Sequence, residues 1–182
     1  TPKAFRRPVT DAEIESFVSL AKPHHPKEHP MHKIVRAPLR AMFSSPQFLF
    51  HAGQPGPLDD HALASRLSYF LWKTLPDAEL TRLANEKKLT QPKVLTAQVE
   101  RMLDDPRSDR FINDFLDGWL HLSNIDVTTP DPTLYPEYDN ELRQAMLAET
   151  RLFLRELLAK NLPARNFIKS NFTFLNRRLA RH

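Results

Sequence analysis

The sequence predicts an all-α protein, a compact orthogonal or antiparallel bundle of about six to eight helices with long proline-containing connections. Apolar residues recur at helical spacing in every long stretch, and no stretch alternates with the two-residue period of a strand. The three glycines are few, and the sixteen prolines fall at helix starts and in connections. A chain of 182 residues can bury a sizeable core.

Residues 1–32 are predicted to be a short helical segment with a Pro/His-rich linker, the C-terminal part of a preceding domain. Thr10 and Glu13 form a capping-box pair that opens a helix through about Ala21. The prolines between 22 and 32 are too dense for a helix, so this stretch is predicted to be a linker or surface loop. Residues 33–182 are then the main helical domain, truncated at its C-terminal end.

The main domain begins with a predicted buried helix over 33–51, which Pro38 and Pro46 should kink or split. Asp59 and Asp60 precede the next helix and can cap its free N–H groups. One face of that helix carries an apolar stripe, formed by Leu63, Leu67, Phe70 and Leu71. Pro76 suits the first turn of the following helix, because its missing N–H would have no partner there.

The second half of the main domain also contains helix-capping residues and apolar stripes. Thr90 is predicted to cap one helix, and Asp105 with Pro106 to end it and start the next. The next helix carries the strongest apolar stripe of the chain: Phe111, Ile112, Phe115, Leu116, Trp119 and Leu120. After a connection over 123–138, the longest helix should start at Asp139 or Asn140.

Composition excludes several function classes. With no cysteine, this segment cannot hold a disulfide, a cysteine–zinc site or the attachment motif of c-type haem. No glycine-rich phosphate loop is present, and no apolar run has the length of a membrane span. The net charge of +4 is dispersed along helices among acids, which makes nucleic acid an unfavoured partner.

Several motifs resemble those of two consecutive domains of unknown function. Residues 3–13, "KAFRRPVTDAE", resemble the "AFRRP(L/V)T..E" opening of the first domain. Residues 39–50, "LRAMFSSPQFLF", resemble the start of the second, larger domain, and "ASRLSYFLW" with "PDAEL" resemble its core. Residues 98–107 and 171–180 are similar to its later motifs. This order of motifs resembles planctomycete-type multidomain proteins with an N-terminal cytochrome-c-like domain.

The resemblance implies that the chain is an internal piece of a longer, exported protein, located in the periplasm or at the cell surface. A c-type haem would then be bound upstream of Thr1, and this segment itself would hold no cofactor. The implied partners are other domains of the same polypeptide, with a protein or a polysaccharide as a further possibility. The family offers no established catalytic residue to assign to this chain.

One histidine cluster could bind a metal, since neutral imidazole is a ligand for zinc, copper and nickel. It consists of His24, His25, His29 and His32. Prolines deny His25 and His29 a common helix face, and a structural zinc site would bring cysteines or a carboxylate at fixed spacing. We therefore predict no metal site and an exposed linker, with His25, His29 and His32 as the only candidate ligands.

Glu149 falls on the apolar stripe of the longest helix, and Arg66 lies at the edge of its own stripe. A buried carboxylate must be paired or neutral, so we predict a structural ion pair between these two residues. The alternative is a titratable acid in a pocket. Asp114 and Asp117 are expected on the wet face of their helix.

Two functions remain open at this stage. The first is a helical structural or interaction module, which we prefer because no catalytic constellation is visible. The second is part of a redox or carbohydrate-active enzyme whose site neighbouring domains complete. A pocket lined by Arg66, Glu149 and aromatic residues would favour the enzyme. The aromatic residues Tyr69, Trp72 and Trp119 are expected in the core or at its edge rather than as a sugar-binding platform.

Overall fold

The computed structural model describes residues 2–22, 30–50, 56–127 and 129–182, and within these ranges all regular structure is helical. This confirms the predicted all-α class. The described helices are α1 Pro2–Phe5, α2 Asp11–Val18, α3 Met31–Phe43, α4 Pro46–Leu49, α5 Asp60–Trp72, α6 Ala78–Asn85, α7 Pro92–Asp104, α8 Asp109–Leu120, α9 Asn140–Ala159 and α10 Arg177–Arg181. Short 3₁₀ turns follow α2, α7, α8 and α9.

Side-chain caps fix where several helices begin. The capping box of α2 is present: Glu13 N donates to Thr10 Oγ1 at 3.2 Å, and Thr10 N donates to the Glu13 carboxylate at 2.9 Å. Asp77 caps α6 and Asp139 caps α9 by accepting from backbone N–H groups. Pro76 therefore precedes the cap of α6 instead of occupying its first turn.

The expected split at Pro46 is present, but two other expectations about these helices need correction. The predicted helix over 33–51 is split by Pro46, which takes the first turn of α4, whereas α3 continues through Pro38. Neither helix contains a buried residue, so this segment is not the buried helix expected. Thr90 does not cap α7, because the helix begins at Pro92 and Gln91 directly precedes it. The N–H of Thr90 donates to Asp60 Oδ1 at 3.1 Å instead.

The chain forms two compact units. The N-terminal unit comprises Thr1–Tyr69 and Thr74–Ala97, and the C-terminal unit comprises Phe70–Lys73 and Gln98–His182. Helices α2 and α3 contact each other within the N-terminal unit. The domain boundary predicted between residues 32 and 33 stays a prediction.

Each unit has its own buried residues. In the N-terminal unit they include Phe5, Ala64, Leu80, Leu83, Ala84 and Leu89. In the C-terminal unit α8 packs on α9, and a cluster of Ile112, Leu116 and Leu154 lies between them. Each fully buried side chain of this kind stabilises the fold by about 1.5–3 kcal/mol relative to an exposed one. Among the described helices, none is long and apolar enough to cross a membrane.

Candidate functional site

Arg6 ties the first residues of the chain to the end of α4. Its backbone has a positive φ of 57°, which ends α1. Its Nη2 atom donates to the carbonyl oxygens of Gln47, Phe48 and Phe50 at 2.9, 3.0 and 3.1 Å. The last carbonyls of a helix have no partner within the helix. The guanidinium of Arg6 therefore caps α4.

Arg7 fixes the entry of the chain into α2. Its guanidinium donates to both carboxylate oxygens of Glu13, at 2.5 and 3.1 Å. This contact, together with the N–H of Thr10, lowers the pKa of Glu13 to about 2. The charge of Arg7 is thus neutralised by an acid, whereas Arg6 is bound to uncharged carbonyls.

The same segment forms one wall of a cleft in the N-terminal unit. We call it the basic cleft; its volume is about 300 Å³. Its cationic lining consists of Lys3, Arg6 and Arg7, and the imidazole of His61 faces the same space. Its apolar lining is formed by Pro8, Ala64, Leu75 and Pro76, and Thr81 and Asn85 complete it. Among the residues that the structure describes, no acidic side chain lines it.

A second hollow, of about 490 Å³, shares Lys3, Pro76, Thr81 and Asn85 with the basic cleft. Its charge pattern differs, because Asp77 and Glu86 line it together with Arg82. Arg82 is paired with Glu86 and Glu79 at 2.7 Å each. Anions are therefore favoured in the basic cleft and disfavoured in its neighbour.

Trp72, in the "ASRLSYFLW" motif, is fully buried, with 0% of its surface exposed. Its indole N–H donates to the carbonyl of Met102 at 2.9 Å. Arg110 donates to the carbonyl of Trp72 at 2.7 Å and so caps the end of α5. The guanidinium carbon of Arg107 lies 3.4 Å from the centroid of the indole ring.

Asp105 holds Arg107 in that position. Its carboxylate accepts from Arg107 Nε and Nη2 at 2.8 and 2.7 Å, and also from the Arg107 backbone N–H at 2.9 Å. The side-chain hydrogen bond from Arg107, and then the backbone one, lower the pKa of Asp105 to about 2. The sequence Asp105-Pro106-Arg107 thus serves to place a cation on Trp72.

The outer side of the C-terminal unit carries a chain of five aromatic rings, which we call the aromatic row: Phe70, Phe111, Phe115, Trp119 and Phe167. Successive ring centroids are 5.0, 5.7, 5.5 and 5.1 Å apart. Phe70 is 64% exposed and Trp119 is 49% exposed. The predicted apolar stripe of α8 has two sides: Ile112 and Leu116 are buried, whereas Phe115 and Trp119 face solvent.

The structure describes the two partners of the predicted ion pair in separate units. Arg66 is exposed, and Glu149 is half-buried and accepts a hydrogen bond from the hydroxyl of Thr173. Arg66, which was expected at the edge of its apolar stripe, is thus on the solvent side of that edge. The pairing itself stays a prediction.

The remaining candidate residues are Asp114 and the histidine cluster. Asp114 is exposed and forms an ion pair with Lys73, in agreement with its expected place on a wet face. His32 is exposed, and His24, His25 and His29 lie outside the described residues. Among the residues that the structure describes, no group of three or more His, Cys, Asp or Glu side chains could hold a metal ion.

The predicted cap at Asp105 is present, since its side chain accepts from the Arg107 backbone N–H. The side-chain contacts of Arg6, Arg7 and Arg107 were not predicted, although all three lie in motifs that the sequence analysis singled out. Their signal was the grouping of arginines with proline and acids in short strings. Their partners could not be inferred from that signal, because Gln47 lies 41 residues from Arg6 and Trp72 lies in another helix.

These motifs define a protein of two consecutive sequence families without an assigned function. Residues 58–182 match the family described as "Protein of unknown function (DUF1592)", and the chain belongs to that family. Residues 1–52 match "Protein of unknown function (DUF1595)". This confirms the predicted succession of two such domains. The segment 39–50, expected at the start of the second domain, falls within the first match.

No curated protein and no solved structure shows significant similarity to the chain.

Proposed function

We propose that this chain is a non-catalytic interaction module whose contact surface is the aromatic row. The observation that carries the proposal is the exposure of four of its rings: 64% for Phe70, 41% for Phe115, 49% for Trp119 and 38% for Phe167. Monomeric proteins rarely expose contiguous apolar patches of this kind unless they bind something. Aromatic residues are also enriched in the centres of protein interfaces.

The contacts of the motif residues support a scaffolding role. Arg6 caps a helix, Arg7 is paired with Glu13, and Asp105 and Arg107 together brace Trp72. Arg7, Asp105 and Arg107 could act on a substrate only by giving up contacts that hold the fold. We therefore place no reaction on them, and we assign the family motifs to stability.

The partner we propose is another domain of the same polypeptide. The support is the resemblance of the motifs to large exported proteins that carry a c-type cytochrome domain upstream, in the periplasm or at the cell surface. Nucleic acid is not proposed, because arginines of the C-terminal unit are paired with acids, among them Arg107 with Asp105 and Arg155 with Asp109. The enzyme alternative would require a site completed by such neighbouring domains.

The two tryptophans provide the experiment. Trp72 is 0% exposed and Trp119 is 49% exposed, so acrylamide should quench chiefly Trp119 in the 182-residue chain. In the longer natural polypeptide we expect the quenching of Trp119 to fall and its emission to shift to shorter wavelength. Replacing Phe115 and Trp119 by alanine should increase proteolysis between the domains. Tyr135→Ala, which removes a 53% exposed ring outside the row, should not.

Equal quenching of Trp119 in both polypeptides would refute the proposed contact. Protection of Trp119 by a soluble polysaccharide, without protection by the longer polypeptide, would favour the carbohydrate-active alternative. The wider context has its own test: haem staining of the native protein and determination of its mature N-terminus. A natural protein without covalent haem would remove the cytochrome part of the proposal.

A further inference from the structure

The basic cleft of the N-terminal unit is lined by residues that are not part of the proposed interaction surface. It is formed by α1 and the segment after it, together with α5, α6 and the connection between them. Three side chains with a permanent positive charge line about 300 Å³, and no carboxylate of the described residues does. A volume of this size is at the lower end of the range for small-molecule sites.

Only part of this positive charge is already compensated. Arg7 is neutralised by Glu13, at 2.5 Å. The hydrogen bonds of Arg6 Nη2 go to three carbonyl oxygens, which carry no full negative charge. Lys3 is exposed, and no ion pair of its ammonium with a described acid is found. Lys3 and Arg6 therefore leave about two positive charges facing the cleft.

The remaining lining limits the kind of anion. Pro8, Ala64, Leu75 and Pro76 present only apolar side chains. A fully hydrated inorganic anion would gain little from these residues, whereas an apolar group would be removed from water there. Thr81 and Asn85 can add neutral hydrogen bonds near the charged end.

We propose that the basic cleft binds a carboxylate attached to a small apolar body. The carboxylate lies against Lys3 and Arg6, and the apolar body lies against Pro8, Ala64 and Leu75. A carboxylate joined to an apolar group is present both in free short-chain acids and at the C-terminus of a peptide that ends in an apolar residue. The proposal is independent of the aromatic row, which lies in the C-terminal unit.

Titration followed by two-dimensional NMR tests it on the whole 182-residue chain. The probes are hexanoate, hexanamide as its neutral analogue, sodium sulfate, and N-acetyl-alanyl-leucine with a free C-terminus. We expect hexanoate or the peptide to shift the amide signals of residues around Lys3, Ala64 and Thr81, and hexanamide to bind at least about fivefold more weakly, since it lacks the charge-assisted hydrogen bonds. A stronger shift by the peptide assigns the site to chain ends, and an equal or stronger shift by hexanoate assigns it to free acids.

Lys3→Gln removes the charge at an exposed position, and we expect about tenfold weaker binding of the carboxylate probe, as for the loss of one charged hydrogen bond. Lys93→Gln is the matched control, because Lys93 is exposed in the same unit and does not line the cleft. Arg6 is avoided because its loss would also uncap α4. Three results would overturn the proposal: no shifts at the cleft, equal affinity for hexanamide or sulfate, or an unchanged affinity of Lys3→Gln.

Discussion

The guanidinium carbon of Arg107 lies 3.4 Å from the centre of the fully buried indole ring of Trp72. A planar guanidinium can stack on the ring and donate two parallel hydrogen bonds to Asp105, and a lysine ammonium cannot do both. Arg107→Lys is therefore expected to lower the free energy of unfolding by about 1–2 kcal/mol. Chemical denaturation followed by far-UV circular dichroism measures this difference.

The control for that variant is Arg165→Lys. It makes the same substitution at an exposed position, where the guanidinium does not stack on a buried ring. It should leave the unfolding free energy nearly unchanged. A loss of the same size in both variants would mean that it reflects the exchange of arginine for lysine in general and not the stacking on Trp72.

The contact of Asp105 with Arg107 makes stability depend on pH in a defined direction. The pKa of Asp105 is lowered from 3.8 to about 2 in the folded protein. Its stabilising contribution is therefore fully present above about pH 4 and is lost as the pH falls toward 2, because the unfolded chain takes up the proton first. Asp105→Asn should be less stable than the wild type at about pH 5, and the difference should narrow toward pH 2.

Urea denaturation at several pH values measures this narrowing. Glu13, whose pKa is also lowered to about 2, contributes to the acid sensitivity of both proteins and cancels in the difference. A difference between wild type and Asp105→Asn that stays constant across this range would show that the carboxylate charge is not what stabilises the contact.

Arg6 combines a positive φ with a side chain that caps α4, and the two effects can be separated. Arg6→Gly relieves the backbone, because glycine adopts this conformation without strain, but it removes three hydrogen bonds. We expect a net loss of about 0.5–1.5 kcal/mol, since the half-buried Phe48 carbonyl loses a charged donor, whereas the exposed residues Gln47 and Phe50 can bind water instead. Faster hydrogen exchange in α4 should accompany this loss.

Lys87→Gly is the matched control for Arg6→Gly. Lys87 has a similar φ of 54°, after the end of α6, and its side chain is exposed. This variant should be neutral or more stable by up to about 1 kcal/mol. If Arg6→Gly behaves in the same way as Lys87→Gly, the guanidinium of Arg6 is not a functional cap.

The local features of this fold could be predicted from the sequence, because they depend on neighbours along the chain. The capping box of Thr10 and Glu13 and the start of α9 after Asp139 are examples, since each joins groups three residues apart. Helical spacing likewise predicted α8, including its buried side.

Contacts between distant segments could not be predicted in this way. The partners of Arg6 are 41 to 44 residues away, and nothing in residue spacing indicates which carbonyls it would reach. The start of α7 was misplaced as well: the helix begins at Pro92, and the Thr90 N–H donates to Asp60 of another helix, a contact that spacing does not indicate. The exposed side of α8 could not be inferred either, since an apolar stripe does not reveal whether it packs within this chain or against another surface.

Glu149 has a neighbour that the sequence did not indicate, and this leads to a test of its predicted pairing with Arg66. If its main contact is the hydroxyl of Thr173, Thr173→Val should cost about 0.5–1.5 kcal/mol, and Glu149→Gln should cost less because the amide oxygen still accepts. If Glu149 also pairs with Arg66, a double-mutant cycle should give a coupling energy below about 1 kcal/mol, because Arg66 is exposed. A coupling of the 3–5 kcal/mol typical of broken buried pairs would contradict this.

The histidine cluster remains predicted to bind no metal. Purified protein should contain no stoichiometric zinc, copper or nickel by elemental analysis, since the prolines around His25 and His29 prevent a common helix face. One metal ion per chain, lost after combined replacement of His25, His29 and His32, would contradict the prediction. Retention of the metal in that variant would direct attention to other residues.

The composition of the N-terminal unit has a consequence for how these sequences are inherited. The unit comprises Thr1–Tyr69 and Thr74–Ala97. One family match ends at residue 52 and the other begins at residue 58, so the border between the families lies inside this unit. Its basic cleft has Lys3 and Arg6 from one family and His61, Leu75 and Asn85 from the other. A gene rearrangement that separated the two families would divide this folded unit between two polypeptides. We therefore expect genomes to retain the two families as neighbours in a fixed order, and a survey of gene architectures can count the exceptions.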